Sequence, residues 1–248
     1  MSPTSQKFSF SRHWLSCTII VILLVCASQV FEQTRAALNY YQVKNGVQRW
    51  QEKQTLSNPQ SYIQMKTAAQ RAVDLFPENP LYLDALAEVY QWGVFFNVEA
   101  DQQKALATMQ QLYLQSVMYR PAWPVTWANL AQLKWRKQEF DQELLGYLSK
   151  ADALGPSQPE VHELYVNLGL ALYKARHPFF AQINQQVKQR LLLGLENPQS
   201  RQDVISMVSQ YHADKVACRW LKDANGFIRN MLSCEASPKG RVKNPQKG

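Results

Sequence analysis

The sequence predicts an all-α protein: an N-terminal transmembrane helix, then a tetratricopeptide-like solenoid of helical hairpins, then a C-terminal helical cap. Three observations predict it. The stretch from Trp14 to Phe31 runs for 18 residues without a charge. Between Tyr62 and Ala175, helical periodicity is interrupted by proline-rich marks at similar offsets. With 9 Gly and 12 Pro among 248 residues, and 46% hydrophobic against 19% charged residues, the chain suits neither a turn-dense β fold, nor disorder, nor a multi-span membrane protein.

The formal charge of +8 belongs to the ends. Residues 1–31 hold Lys7 and Arg12 with no acid, and residues 236–248 hold Lys239, Arg241, Lys243 and Lys247 with no acid. Subtracting these 2 and 4 from 8 leaves +2 for the body between them, which is too little for a nucleic-acid interface.

The N-terminal apolar run is just long enough to cross a bilayer, where roughly 20 residues are usual. Lys7, Arg12 and His13 form a short basic region before it, as in a signal peptide or an uncleaved signal anchor. The length, and the lack of a small-x-small cleavage site, predict the anchor; cleavage stays open. A lipoprotein is excluded because Val25 precedes Cys26 where a small residue is required. Basic residues nearly balance across the span, with Arg35, Lys44 and Arg49 on the far side. Glu32 directly after the span, and the tendency of long domains to translocate, predict a cytoplasmic N-terminus and a periplasmic body. Of the four cysteines, Cys17 and Cys26 lie in the span, so Cys218 and Cys234 are expected to form a disulfide in an oxidising compartment.

Three marks punctuate the repeats: Phe76-Pro77-Glu78-Asn79-Pro80, Arg120-Pro121-Ala122-Trp123-Pro124 and Gly155-Pro156-Ser157-Gln158-Pro159. Proline stops one helix and suits the first turn of the next. The second prolines are 44 and 35 residues apart, near the period of about 34 in tetratricopeptide repeats. Trp127-Ala128-Asn129-Leu130-Ala131 is echoed by Tyr165-Val166-Asn167-Leu168-Gly169, and more weakly by Leu83-Asp84-Ala85-Leu86-Ala87. Trp127, Leu130 and Ala131, with Tyr165, Leu168 and Gly169, form the expected core signature, in which the small residue admits the neighbouring helix. Tyr90 and Leu172 stand one turn later as the pattern expects, whereas Lys134 departs from it. Second helices are expected over Lys104–Tyr119 and Phe140–Leu154, with a residual earlier one over Ala68–Phe76, giving two good repeats and a degenerate first. Beyond His177-Pro178 the signature ends, and helices over Phe179–Leu195, Gln202–Leu221 and Phe227–Leu232 are expected to cap the solenoid. The predicted organisation is therefore a cytoplasmic basic tail at 1–13, an anchor at 14–31, repeats at 32–176, a disulfide-pinned cap at 177–235 and a disordered basic tail at 236–248.

Catalysis is not expected. No HExxH, GxSxG, P-loop or GxGxxG motif occurs, the four histidines stand apart, and no cofactor or metal site is predicted. The pairs Asp84 with Glu88 and Glu139 with Glu143 have the spacing of ordinary solvated carboxylates. Binding is the better expectation. Asn129 and Arg136 correspond to Asn167 and Lys174, an amide and a cation seven residues apart on one helix face in each repeat. This pattern suits a peptide carboxylate or an anionic sugar, and Trp135 is a further candidate for the groove.

The run Arg120-Pro121-Ala122-Trp123-Pro124, with Trp127-Ala128-Asn129-Leu130-Ala131, Ala153-Leu154-Gly155-Pro156 and Asn167-Leu168-Gly169-Leu170-Ala171, resembles the VpsP-like family of bacterial exopolysaccharide biosynthesis proteins. The resemblance implies an inner-membrane-anchored accessory protein of capsule or biofilm-matrix polysaccharide assembly, and it brings no catalytic residues. The expected role is a non-enzymatic scaffold that binds partner proteins of the envelope polysaccharide machinery, with anionic polysaccharide a further ligand class. The alternative is a periplasmic tetratricopeptide chaperone or assembly factor for another envelope machine.

Overall fold

The computed structural model describes residues 6–56 and 58–234, with side chains from Trp14 onward. The basic residues Lys7, Arg12 and His13 lie outside the described side chains, and the tail expected at 236–248 lies outside the described residues altogether. Eleven helices and no strand occur among the described residues. The chain divides into two compact units, the first ending at Pro121 and the second beginning at Ala122.

The first unit holds α1 (Gln6–Lys53), α2 (Pro59–Leu75), α3 (Pro80–Phe95) and α4 (Gln102–Tyr119). The apolar stretch of α1 runs without a break into the remainder of the helix, and this is the one described helix long and apolar enough to cross a membrane, with none of its apolar window buried. Past the apolar stretch, Ala36, Val43, Val47 and Trp50 recur at helical spacing on one buried face. That face packs against α2 and α3. The hairpin α1/α2 is an addition to the repeats expected from the sequence, where only its second helix was legible. Trp50 joins Tyr62, Trp92 and Phe96 in an aromatic cluster with centroids about 6 Å apart. The hairpin α3/α4 closes on Leu83, Leu86, Met109 and Tyr113, all buried. It is pinned by Arg120, which donates to Asp84 at 2.8 Å.

The second unit holds α5 (Pro124–Arg136), α6 (Gln142–Leu154), α7 (Pro159–Lys174), α8 (Phe180–Glu196), α9 (Arg201–Gln210), α10 (Asp214–Trp220) and α11 (Gly226–Met231). Here α5 pairs with α6, α7 pairs with α8, and the first helices α5 and α7 also pack on each other, as a tetratricopeptide-like stack requires. The whole core signature is buried: Trp127, Leu130, Ala131, Tyr165 and Leu168 are at most 7% exposed, and Gly169 is buried with them. Gly169 sits against Val187 of α8, where a side chain would collide.

The same local devices recur in three hairpins, α3/α4, α5/α6 and α7/α8. Asn79, Trp123 and Gln158 all have φ between −90° and −81° with extended ψ, and Pro80, Pro124 and Pro159 each open a helix behind them. The first helix of each of these three ends on a left-handed residue, Asn97, Gln138 or Arg176, with φ of 55°, 59° and 52°, and α1 likewise ends on Gln54 with φ of 51°. The next amide then folds back: Val98 N to Gly93 O, Glu139 N to Lys134 O and His177 N to Leu172 O, each at 2.9 Å. α9 ends the same way at His212, with φ of 54° and Ala213 N bonded to Val208 O. This device splits the stretch 202–221, expected as one helix, into α9 and α10. Its signal was absent from the sequence because the position holds neither the Gly nor the Asn that usually marks a left-handed cap.

The cap closes on Val166, Leu170, Leu191, Leu195, Val204 and Val208, with Ile228 of α11 against them. Cys218 and Cys234 are joined by a disulfide with Cα atoms 5.6 Å apart, which ties the end of α11 to α10.

Candidate binding pocket at the end of the last repeat

Polar side chains in the second unit fall into three groups, two of which are consumed by the fold. Lys134, the departure from the repeat pattern, is only 5% exposed. Its stem occupies a core position, and its Nζ reaches Asp141 at 2.6 Å and Glu139 and Glu143 at 2.8 Å in the α5–α6 turn. Burial alone would lower its pKa, but the three hydrogen bonds raise it above the ordinary lysine range, while the same bonds hold all three carboxyls below theirs. Glu139 and Glu143 are thus structural partners of a lysine, and Asp84 and Glu88 are likewise engaged, by Arg120 and by Gln51.

The second group centres on Arg190 of α8, 3% exposed. It donates to the Asp152 carboxylate at 2.6 Å, to the Asp152 carbonyl at 2.7 Å and to the Gly155 carbonyl at 2.8 Å, clamping the α6–α7 turn. A guanidinium only donates, so His162 Nδ1, 3.2 Å away, accepts. Burial, and then the Arg190 charge, push the pKa of His162 down to about 4, so it is neutral at pH 7. Beside it, burial and the nearby Asp203 and Glu160 push the Glu163 carboxyl up to about 7.

The third group is open. Where α7 ends, the left-handed Arg176 turns the chain, and His177 Nδ1 accepts from the Phe179 amide at 3.2 Å to start α8. Pro178 between them enforces the extended approach. The result is a pocket of about 550 Å³ lined by Tyr173, Lys174, Arg176, His177, Phe180 and their neighbours. Its wall is aromatic: Phe180 stacks on Trp220 at 5.7 Å, and Tyr173 meets both edge-on. Lys174 and Arg176 are exposed, no carboxylate lines the cavity, and Lys174 Nζ lies 5.8 Å from the centroid of the Tyr211 ring. An apolar wall with a cationic rim suits a ligand that carries a carboxylate on a flat or C–H-rich body.

The residues singled out from the sequence divide accordingly. Lys174 lies in the pocket, whereas Asn167 is half-buried and accepts from the Tyr211 hydroxyl at 2.8 Å. The α7 amide and cation therefore converge on Tyr211. On α5, Asn129 and Trp135 are half-buried and Arg136 is exposed. Sequence reasoning missed Arg176, His177, Tyr173 and Phe180, although His177-Pro178 was visible as a helix break. A larger cavity of about 680 Å³ in the first unit is lined by Tyr62, Lys66, Arg71, Asp74 and Glu99 among others; within it Lys66 pairs with Glu99 at 2.5 Å and Tyr62 donates to the same carboxylate. Among the described residues, no cluster of His, Cys, Asp or Glu could hold a metal ion.

Fold and pocket together define a helical-hairpin repeat protein of tetratricopeptide-like architecture, a class that serves as a protein-interaction module. No protein-family profile matches the sequence, and no curated protein matches it either. Eighteen solved chains match. One of them, described as "Functional Characterization of Pseudomonas Aeruginosa pilF", is 18% identical over 82% of this chain and 100% of that chain, with a TM-score of 0.27. A superposition that loose carries no argument, and the assignment of the fold stands on the hairpins and their caps.

Proposed function

We propose that this protein is a non-enzymatic scaffold anchored in the bacterial inner membrane, acting in exopolysaccharide biosynthesis or export and binding partner subunits through its helical repeats. The cation-rimmed aromatic pocket at the α7–α8 turn carries the binding part of the proposal. It would take an acidic side chain or chain terminus of a partner protein, with Lys174 and Arg176 pairing to the carboxylate. Asn129, Trp135 and Arg136 on α5, and Asn167 on α7, would extend the contact along the two first helices. Anionic polysaccharide offers the same carboxylate chemistry. The family resemblance of the Arg-Pro-Ala-Trp-Pro segment supplies the polysaccharide context, and the Cys218–Cys234 bridge supports a periplasmic body with a cytoplasmic N-terminus.

The test is a deletion scored for extracellular polysaccharide, together with crosslinked partners recovered with the full-length tagged protein. Loss of polymer, with subunits of the polysaccharide machinery in the crosslinks, is the expected result. The double variant Lys174→Glu with Arg176→Glu should lose those crosslinks while retaining the wild-type melting profile. Unchanged polymer, with division or secretion proteins in the crosslinks, would overturn the assignment.

A further inference from the structure

The first unit presents an uneven distribution of exposed apolar side chains. Outside the apolar stretch of α1, the large exposed hydrophobics of this unit are Leu38, Tyr41, Ile63, Leu81, Phe95, Met118 and Tyr119. Five of these seven lie in the half of the unit nearest that stretch, while Ile63 and Phe95 lie at the opposite end. Met118 is the most exposed of them at 76%. Soluble surfaces tolerate scattered apolar residues, but a one-sided concentration marks a contact.

The height of these residues above the apolar stretch comes from the packing. α3 runs parallel to α1, since Tyr40 meets Tyr82 at 5.5 Å and Trp50 meets Trp92 at 6.4 Å. α4 descends beside α3, with Ser116 Oγ donating to Pro80 O at 3.3 Å. Pro80 lies two residues below Tyr82 and is therefore level with Leu38 of α1. Tyr119, three residues below Ser116, is level with Arg35. At 1.5 Å per residue, Arg35 stands about 6 Å above Phe31, where the apolar run ends. The polar headgroup layer on each side of a bilayer is about 5–7 Å thick. The end of α4 thus reaches into that layer if the apolar run spans the hydrocarbon.

The connection also fixes the unit's pose. α1 continues as one helix from the apolar stretch into the core, and Ala36, five residues past Phe31, is fully buried. No flexible stalk intervenes. Arg35 is exposed and lies over the Phe31 ring at 5.7 Å, an arrangement that carries its guanidinium toward headgroups. Tyrosine at this depth has the amphipathic character of membrane-interface belts.

From this geometry we infer that the first unit rests directly on the bilayer, with Met118 and Tyr119 at the C-terminal end of α4 inserted into the lipid interface beside the exit of α1. The inference depends on the proposed membrane anchoring. The occupant is lipid rather than a protein partner because the anchoring helix places this end against the headgroups before any partner can reach it. Docked in this way, the repeat hairpins of the unit are held at a set orientation to the membrane rather than swung on a tether.

The experiment uses the full-length protein with Cys17→Ser and Cys26→Ser, reconstituted in phosphatidylcholine–phosphatidylglycerol nanodiscs. Single nitroxide labels are placed at Met118→Cys, Tyr119→Cys, Ile22→Cys and Asn45→Cys. Power-saturation EPR compares collision with oxygen, which partitions into lipid, and with a water-soluble nickel chelate. The expected result is oxygen-dominated collision at positions 118 and 119, intermediate between Ile22 in the span and Asn45 well above it. Positions 118 and 119 matching Asn45, with Ile22 embedded, would overturn the docking alone. Ile22 as accessible to nickel as Asn45 would overturn the anchoring and the docking with it.

Discussion

Gly169 offers the sharpest test of the repeat packing, because the sequence assigned it to the position where a small residue admits the neighbouring helix. A Cβ built there lies 2.5 Å from Val187 Cγ2, closer than real Cβ atoms approach anything, and a tight 3.0 Å from its Cβ. Val187 is fully buried and β-branched, so in a helix it has essentially one rotamer and cannot swing aside. Gly169→Ala therefore pushes α8 away from α7, and against so rigid a neighbour the overpacking cost falls in the upper part of the usual range, about 2–3 kcal/mol. Alanine recovers about 1 kcal/mol of helix propensity, leaving a net loss of about 1–2 kcal/mol. Val187→Ala alone loses about 2 kcal/mol of buried methyl surface. If the two residues collide in this way, the double variant removes the two closest contacts and leaves only the 3.0 Å approach to Cβ, keeps the propensity gain and fills part of the cavity. It should then be within about 1 kcal/mol of wild type, although the separate losses sum to about 3–4 kcal/mol. Urea unfolding of the full-length protein in detergent micelles, followed by far-UV circular dichroism, measures all three. Additive losses in the double variant, or a Gly169→Ala protein as stable as wild type, would refute the close approach of α7 and α8.

The second unit yields three further expected outcomes. Replacing Cys218 and Cys234 with Ser should lower stability by about 2–4 kcal/mol in oxidising buffer, and equal melting with and without reductant would contradict the bridge. Lys134→Met keeps the stem but strands three carboxylates, and should cost about 1–3 kcal/mol at pH 7 because these groups are partly open to water. Since Glu139, Asp141 and Glu143 have depressed pKa values, the wild type loses this contribution as pH falls below about 4. The gap between wild type and variant should therefore narrow in acid, and a gap independent of pH would show that the charges are not coupled. Glu163, raised from 4.5 to about 7, binds its proton more tightly in the folded state, so its ionisation costs stability as pH rises through that window. His162, lowered from 6.5 to about 4, has the opposite slope, gaining stability as pH rises between those values. The two nearly cancel between about pH 4.5 and 6.5 in the wild type. Glu163→Gln should unmask the histidine, giving stability that climbs over that range, and should gain about 1–2 kcal/mol at pH 8 after allowance for solvent screening. Unfolding midpoints taken across pH 4–8 test both statements, and parallel profiles for the two proteins would sink them.

What the sequence revealed and what it concealed have one physical origin. Proline leaves a mark that can be read directly, because it forbids one conformation and fits another, so Pro80, Pro124 and Pro159 located three helix starts to the residue. The buried faces around Trp127 and Tyr165 were legible for the same reason, since periodicity reports burial. The hairpin α1/α2 was hidden because its first helix is fused to the apolar stretch, and one long run shows no internal boundary. The left-handed caps at Asn97, Gln138, Arg176 and His212 use side chains with no shared preference, so the tertiary fold rather than local propensity holds them. The candidate pocket inherits that invisibility: it is made by one of these caps. Lys174 could be singled out from its place on a helix face, but Arg176 and His177 enter only once the chain has turned.

The same contrast explains how a repeat of interchangeable hairpins acquires one distinctive site. At the end of α5, the left-handed cap brings Glu139 onto Lys134, and Asp141 and Glu143 close the charge group. At the end of α7, the equivalent position to Lys134 is Leu172, which is buried and needs no carboxylates. The next turn then carries Arg176, His177 and Pro178 where the earlier one has Gln138, Glu139 and Phe140. With a leucine in place of the buried lysine, the turn has no cation to satisfy, and His177, Phe179 and Ala181 stand where the acids were. The nearby Lys174 and Arg176 line an open cavity walled by Tyr173 and Phe180. The backbone turns the same way at both places, through Gln138 and Arg176 with φ of 59° and 52°, and the side chains before and after the turn decide whether it closes on an internal charge group or borders an open cavity.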